Sequence, residues 1–310
     1  MTPLRLLALL TAALGLLLRA SAAPESPPPA DAETELQALV ARVQEKLKGG
    51  ATTEAALAPE LAEFDSLLVQ HKGEKTEAVS RILVMKAMLF IQVFQNNEAG
   101  MALLRRLKTD FPDTDGGKNA DRIIEAVEAR SQTASVQAAL IGKPAPPLSF
   151  SWASRKGLSS LEDLKGKVVV LDFWATWCGP CIASFPNVAE VVSTYQGYDV
   201  EVVGVTSLQG RVVNLEAQPI DCKGDPVKET GLMPAFMKAK NMTWTVAFST
   251  EPVFNPDYAI EGIPYMAILA PDGTVRHTGL HPAMPHAEKV EKINAILKEF
   301  KLRVPPAAKS

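Results

Sequence analysis

Apolar residues in the first half of the chain recur at helical spacing, whereas those of the second half gather into short unbroken runs. Leu36, Leu39, Val40, Val43 and Leu47 fall three or four positions apart, the stripe of an amphipathic helix, and Gly49-Gly50 ends it. The same reading predicts helices over Thr53–His71, Lys75–Gln95, Glu98–Phe111 and from Asn119 toward Ala138. Ile82–Phe94 is almost wholly apolar, but Lys86 and Gln92 interrupt it and it is too short to span a bilayer, so it reads as a buried core helix. Beyond it the period changes. Strands are expected near Leu148–Phe150 and over Lys167–Phe173, Asp199–Ser207 and Thr243–Ser249, with helices over Pro180–Tyr195, Met233–Asn241 and His286–Phe300. Met266–Ala270 and Thr274–Gly279 should pair as a hairpin across Pro271-Asp272-Gly273. Strands alternating with helices give a mixed sheet with helices on both faces.

At 310 residues the chain is long enough for two domains. Residues 23–140 form the helical one, 141–303 the α/β one, and 304–310 a short tail. Ala23–Ala30 is a proline-rich flexible leader. Lys108-Thr109-Asp110-Phe111-Pro112-Asp113 and the helix before it resemble one tetratricopeptide-type pair, but no second copy follows at a fixed period, which favours an irregular bundle. His71, beside Lys72-Gly73, reads as a solvated loop residue. Nothing in this domain looks catalytic, so it is assigned to docking a partner, self-association or spacing.

Arg5 precedes the apolar run Leu6–Leu18, and Ala20-Ser21-Ala22 closes it with small residues. Residues 1–22 therefore read as a signal peptide cut after Ala22, an uncleaved anchor being the alternative. A net charge of −3 gives no basis for nucleic-acid binding.

The candidate chemistry lies in Phe173-Trp174-Ala175-Thr176-Trp177-Cys178-Gly179-Pro180-Cys181, at the end of an apolar strand and the start of a helix. A C-x-x-C pair so placed suits thiol–disulfide exchange, since the spacer lets the second sulfur attack a mixed disulfide formed by the first. Pro180 fits the first helical turn, where its missing N–H would be unpaired anyway. Cys178 then meets the free N–H groups and positive end of the helix, which favour the thiolate, and is the nucleophile; Cys181 resolves. Zinc needs two further ligands, and Cys222, His277, His281 and His286 form no second pair at suitable spacing. A structural disulfide closing so short a loop would restrain little chain entropy. Asp172, a carboxylate at the end of a Val/Leu strand, is read as desolvated, with a raised pKa that lets it trade protons with a buried thiol; a solvated strand-end aspartate is the alternative.

These residues resemble the thioredoxin superfamily, and Gly142-Lys143-Pro144-Ala145-Pro146-Pro147-Leu148-Ser149-Phe150 with Leu158–Lys167 resembles the entry to its extracytoplasmic TlpA/ResA-like branch. The resemblance runs from Gly142 to about Leu302 and implies a thioredoxin-like α/β fold, with a central mixed sheet flanked by helices, behind an all-α N-terminal domain. It implies that Asp172 lies beneath the resolving cysteine, that Pro264 is cis opposite the C-x-x-C, and that the helix after the cysteines is kinked at Pro186. It also implies that the Ile263 backbone pairs with an extended substrate, alongside Trp177, Gly179 and Pro180 at the binding surface. Three residues after Cys181, where cytochrome-maturation members carry glutamate, stands Ser184, which counts against haem-apocytochrome reduction. The P-x-x-x-[ST]-x-x-C signature of peroxiredoxins is absent, which counts against peroxidase activity.

Leu208–Leu232 is a longer connection than a strand-to-helix turn needs, and it is expected at the active-site rim. It carries Cys222, for which a free thiol, a second redox partner and an incidental residue all stay open. Gly-Pro between the cysteines, as in thioredoxin, implies a potential near about −270 mV rather than about −120 mV, a gap of roughly 7 kcal/mol favouring reduction. The expected activity is thus reduction or isomerisation of disulfides in exported proteins, with no cofactor or metal, supplied by a membrane thiol donor of the DsbD/CcdA kind. Net oxidation, or a scaffold acting mainly through the helical domain, are the alternatives.

Overall fold

A computed structural model describes residues 31–306 of the chain. The signal-peptide and leader readings, and the end of the tail, lie outside the described residues. The chain divides after Arg130 into two compact units.

The first unit is helical. Helices α1 (Ala32–Lys48), α2 (Ala58–Gln70), α3 (Glu77–Met88) and α4 (Asn97–Asp110) are followed by α5 (Asp115–Leu140), within which the division falls. Side chains of Asp31, Thr76 and Asn96 cap α1, α3 and α4 by accepting the N–H of Thr34, Val79 and Ala99. The stripe Leu36, Leu39, Val40, Val43, Leu47 is buried against Leu57, Phe64, Ile82, Leu83 and Leu104. The apolar run expected to continue one helix to Gln95 instead passes at Leu89–Val93 into a π turn, in which the Phe94 N–H donates to Leu89 O over 3.1 Å. His71 corrects the sequence reading. Its side chain is only 11% exposed, and its ring nitrogens lie 2.9 Å from Glu35 and 3.0 Å from Glu74. Glu35 is thirty-six positions away, so local sequence gave no sign of it.

The second unit is built on a six-stranded sheet of β1 (Phe150–Ala153), β2 (Val168–Phe173), β3 (Val200–Ser207), β6 (Thr245–Ser249), β7 (Tyr265–Leu269) and β8 (Val275–Leu280). Its order is β1-β6-β3-β2-β7-β8, with β3 parallel to both β2 and β6 and the other pairings antiparallel. Every residue of the central strand β2 is buried, as a strand covered on both faces requires. Val168 and Val170 join a core with helices α6 (Gly179–Thr194), α8 (Met233–Ala239) and α9 (His286–Glu299). Val169, Leu171 and Phe173 face the opposite core, closed by the entry segment and by residues Val253, Tyr258 and Ile260 of the β6–β7 connection. Strand β1 lies further along than expected, because Trp152 pairs with Phe248 of β6. The 208–232 connection holds a two-residue hairpin, β4 (Arg211–Val212) with β5 (Ile220–Asp221), and the short helix α7 (Pro226–Gly231). Among the described residues no helix is long and apolar enough to cross a membrane.

Candidate active site

Strand β2 delivers the chain to the loop Trp174–Trp177, and Cys178 is the N-cap of α6, with Pro180 in the first helical turn. Cys178 and Cys181 are joined as a disulfide with a Cα–Cα distance of 5.2 Å. The Cys181 backbone N–H donates to Cys178 Sγ over 3.2 Å, one of the helix-start donors available to a negative sulfur. Both cysteines are nearly covered as whole residues, Cys178 at 3% and Cys181 at 1% exposure, while Trp177, Gly179 and Pro180 are open to solvent. Ser184 Oγ donates to Cys181 O over 2.7 Å, so the serine at this position tightens the first turn of the helix. Pro186 lies within α6, where it removes one intrahelical donor.

The β6–β7 connection brings up the other expected residues. The Ile263–Pro264 bond is cis, and Ile263 O lies 3.8 Å from Cys178 Sγ. Trp177, Cys178, Gly179, Pro180, Cys181, Ile263 and Pro264 are thus assembled at one end of β2.

Asp172 sits deeper. Alternation along β2 turns it toward the core that contains both cysteines, opposite Gly204 of β3 and Met266 of β7. It is 1% exposed and neither carboxylate oxygen makes a hydrogen bond. Burial pushes its carboxyl up to about 7, with the Lys289 ammonium pulling the other way. The solvated alternative is excluded by this burial. A bare hydrogen lies at Gly204 for a reason: a Cβ there would come 2.9 Å from the Trp174 indole nitrogen and 3.0 Å from that of Trp244.

Three residues of this neighbourhood were not singled out from sequence. Lys289 of α9 is a fully buried cation whose Nζ donates to Asn187 O over 3.1 Å and to Pro282 O over 2.6 Å; burial lowers its pKa, and Glu190 and Asp172 oppose the shift. Its spacing from Ile293, Ile296 and Leu297 puts it on the buried stripe of α9, and a lysine on an apolar stripe was the signal available. Thr176, two positions before Cys178, donates from Oγ1 to Gln209 over 3.2 Å, accepts from the Val213 N–H over 3.1 Å, and offers its carbonyl to Asn214 over 2.7 Å. Glu229 of α7, 2% exposed, accepts the backbone N–H groups of Gln209 and Gly210, each over 2.8 Å. Together these bonds place the 208–232 connection against the loop that carries Cys178, as expected of a rim. Cys222 within it is a free, buried thiol that donates to Ile220 O over 3.6 Å, and burial raises its pKa. Among the described residues no group of three or more His, Cys, Asp or Glu side chains converges to hold a metal ion.

The chain matches the Redoxin family over residues 140–297. ResA, a thiol-disulfide oxidoreductase of Bacillus subtilis, is 28% identical over 115 residues, which cover 37% of this chain and 54% of ResA. The thioredoxin-like protein YneN of the same organism is 29% identical over 141 residues, covering 44% of this chain and 71% of YneN. The chain therefore spans about half the length of ResA. A solved thiol:disulfide interchange protein from Bacteroides is 20% identical, aligned over 50% of this chain and 90% of its own, with a TM-score of 0.38. With the match taking in half of its length, including the strand, the dithiol and the proline at the site, the chain belongs to the redoxin family, with a thioredoxin-like fold akin to the ResA/TlpA type.

Proposed function

We propose that the protein is a thiol–disulfide oxidoreductase that reduces or isomerises disulfides of exported proteins through Cys178 and Cys181. The observation that carries the reading is the position of Cys178 Sγ, 3.2 Å from the Cys181 N–H at the helix start and 3.8 Å from the Ile263 carbonyl. In the reduced dithiol the Cys178 thiolate attacks one sulfur of a substrate disulfide. The substrate S–S bond breaks, a Cys178–substrate disulfide forms, and the departing thiolate takes up a proton. Cys181, deprotonated with Asp172 as proton acceptor, then attacks Cys178 Sγ and expels the second substrate thiol. Two electrons leave the dithiol, and Cys178–Cys181 ends as a disulfide, the form described above.

The Gly-Pro spacer supports a reducing role, with a potential below about −230 mV. The signal-peptide reading of residues 1–22 supports an extracytoplasmic location, in which a membrane thiol donor of the DsbD/CcdA kind would return the electrons. The helical unit is proposed to dock a partner or a second copy.

The test is substitution at each sulfur. Cys178→Ser should abolish insulin-disulfide reduction, and Cys181→Ser should accumulate mixed disulfides with exported proteins, visible as adducts on non-reducing gels. Faster alkylation of Cys181 than of Cys178 would reverse the assignment. Equilibration with glutathione giving a value near about −120 mV would make the protein an oxidase.

A further inference from the structure

Two aromatic rings stand in solvent beside the dithiol. Trp177, immediately before Cys178, is 37% exposed, and Phe254 is 43% exposed. Their rings are stacked, with centroids 6.1 Å apart and planes 28° from parallel. Phe254 does not lie open for want of order around it. Its neighbours Val253 and Asn255 are both buried, the Val253 N–H donates to Ser207 Oγ over 3.1 Å, and Asn255 Oδ1 accepts the Asp257 N–H over 2.9 Å. Tyr258, four positions on, is buried and donates to Pro146 O over 2.8 Å. The backbone is thus pinned on both sides of a phenyl ring that it presents to water.

The same connection between β6 and β7 carries Ile263, whose carbonyl lies 3.8 Å from Cys178 Sγ. One anchored segment therefore supplies both an aromatic face against Trp177 and the backbone carbonyl next to the nucleophile. An apolar platform continuous with a reactive sulfur meets whatever flanks the sulfur it attacks. Stacked rings offer flat, uncharged faces, which suit an aromatic or large aliphatic side chain.

We infer that Phe254 is a specificity-determining residue: with Trp177 it takes the bulky apolar side chain next to the attacked cysteine of a substrate polypeptide held in extended form. The inference rests on the oxidoreductase reading and deepens it by naming the substrate class.

The test uses the full chain, reduced, and two peptides that differ only in the residue before a glutathionylated cysteine, Phe in one and Ser in the other. Wild type should favour the Phe peptide in kcat/KM by roughly three- to ten-fold, the span of an aromatic contact, and chiefly through KM. Phe254→Ala should bring that ratio to within about two-fold of one, and Phe254→Tyr should restore it. A ratio unchanged in Phe254→Ala, or an equal loss on both peptides, would overturn the inference, because the ring would then only shield or brace the dithiol. Failure of wild type to react with either peptide or with oxidised glutathione would overturn the oxidoreductase reading itself.

Discussion

Asp172 carries the largest electrostatic cost described at the site, because its carboxylate is buried without a hydrogen-bond donor. Its pKa in the folded chain, about 7, lies above the ordinary 3.8, so the ionised form is what folding penalises. The penalty is absent below about pH 4, grows between pH 4 and 7, and above that reaches about 4 kcal/mol. Asp172→Asn should therefore raise the melting temperature more at pH 8 than at pH 4.5, while slowing the step in which Cys181 resolves the mixed disulfide. Lys289→Met should move the carboxyl titration upward, as followed by infrared spectroscopy, because the cation that favours the charged form is gone. Sequence made Asp172 legible through its place at the end of an apolar strand. Lys289 escaped because a lysine on a helix is ordinarily solvated, and only the assembled core shows which face α9 buries.

Long, periodic elements were the legible ones. The central strand and the helix after the cysteines stand within a residue or two of their expected bounds, since each carries its own apolar pattern. The short pieces were not. β4 and β5 have two residues each and α7 has six, lengths at which local pattern decides little and hydrogen bonds from elsewhere decide most. The 208–232 connection is such a case, held by Glu229 and by Thr176. Glu229→Gln should leave one of the two N–H groups at Gln209 and Gly210 poorly paired and cost about 1–3 kcal/mol. Hydrogen exchange measured by mass spectrometry should show the gain in opening confined to residues 208–232 and the Thr176 loop.

The two units answer to pH through different groups. In the helical unit, hydrogen bonds to Glu35 and Glu74 raise His71 above its ordinary 6.5, and the His71 bond lowers Glu35 below its ordinary 4.5. The histidine's contribution is complete below about pH 6.5 and is lost as pH rises through its raised folded value; the glutamate's is complete above about pH 4.5 and is lost as pH falls. The pair therefore supports the fold best between those limits. Asp172 adds its cost progressively from about pH 4 to 7, so among these groups the balance favours the lower of those limits, and the whole protein should melt highest near about pH 4.5–5. In a melting series, His71→Gln should lower the transition more at pH 5.5 than at pH 8.5. Equal losses at both values would remove the ion pair from the account.

The burial of Cys222 bears on how the protein must be made. Three cysteines allow three pairings, and the finished fold keeps one of them, with Cys222 covered and its thiol held in the protonated, unreactive form. That protection exists only after the core has closed. An oxidant that meets the open chain can join Cys222 to either partner and strand it in a wrong loop, whereas the closed chain already holds Cys178 and Cys181 against each other and leaves Cys222 apart. Order of events thus decides the yield: collapse first, oxidation second.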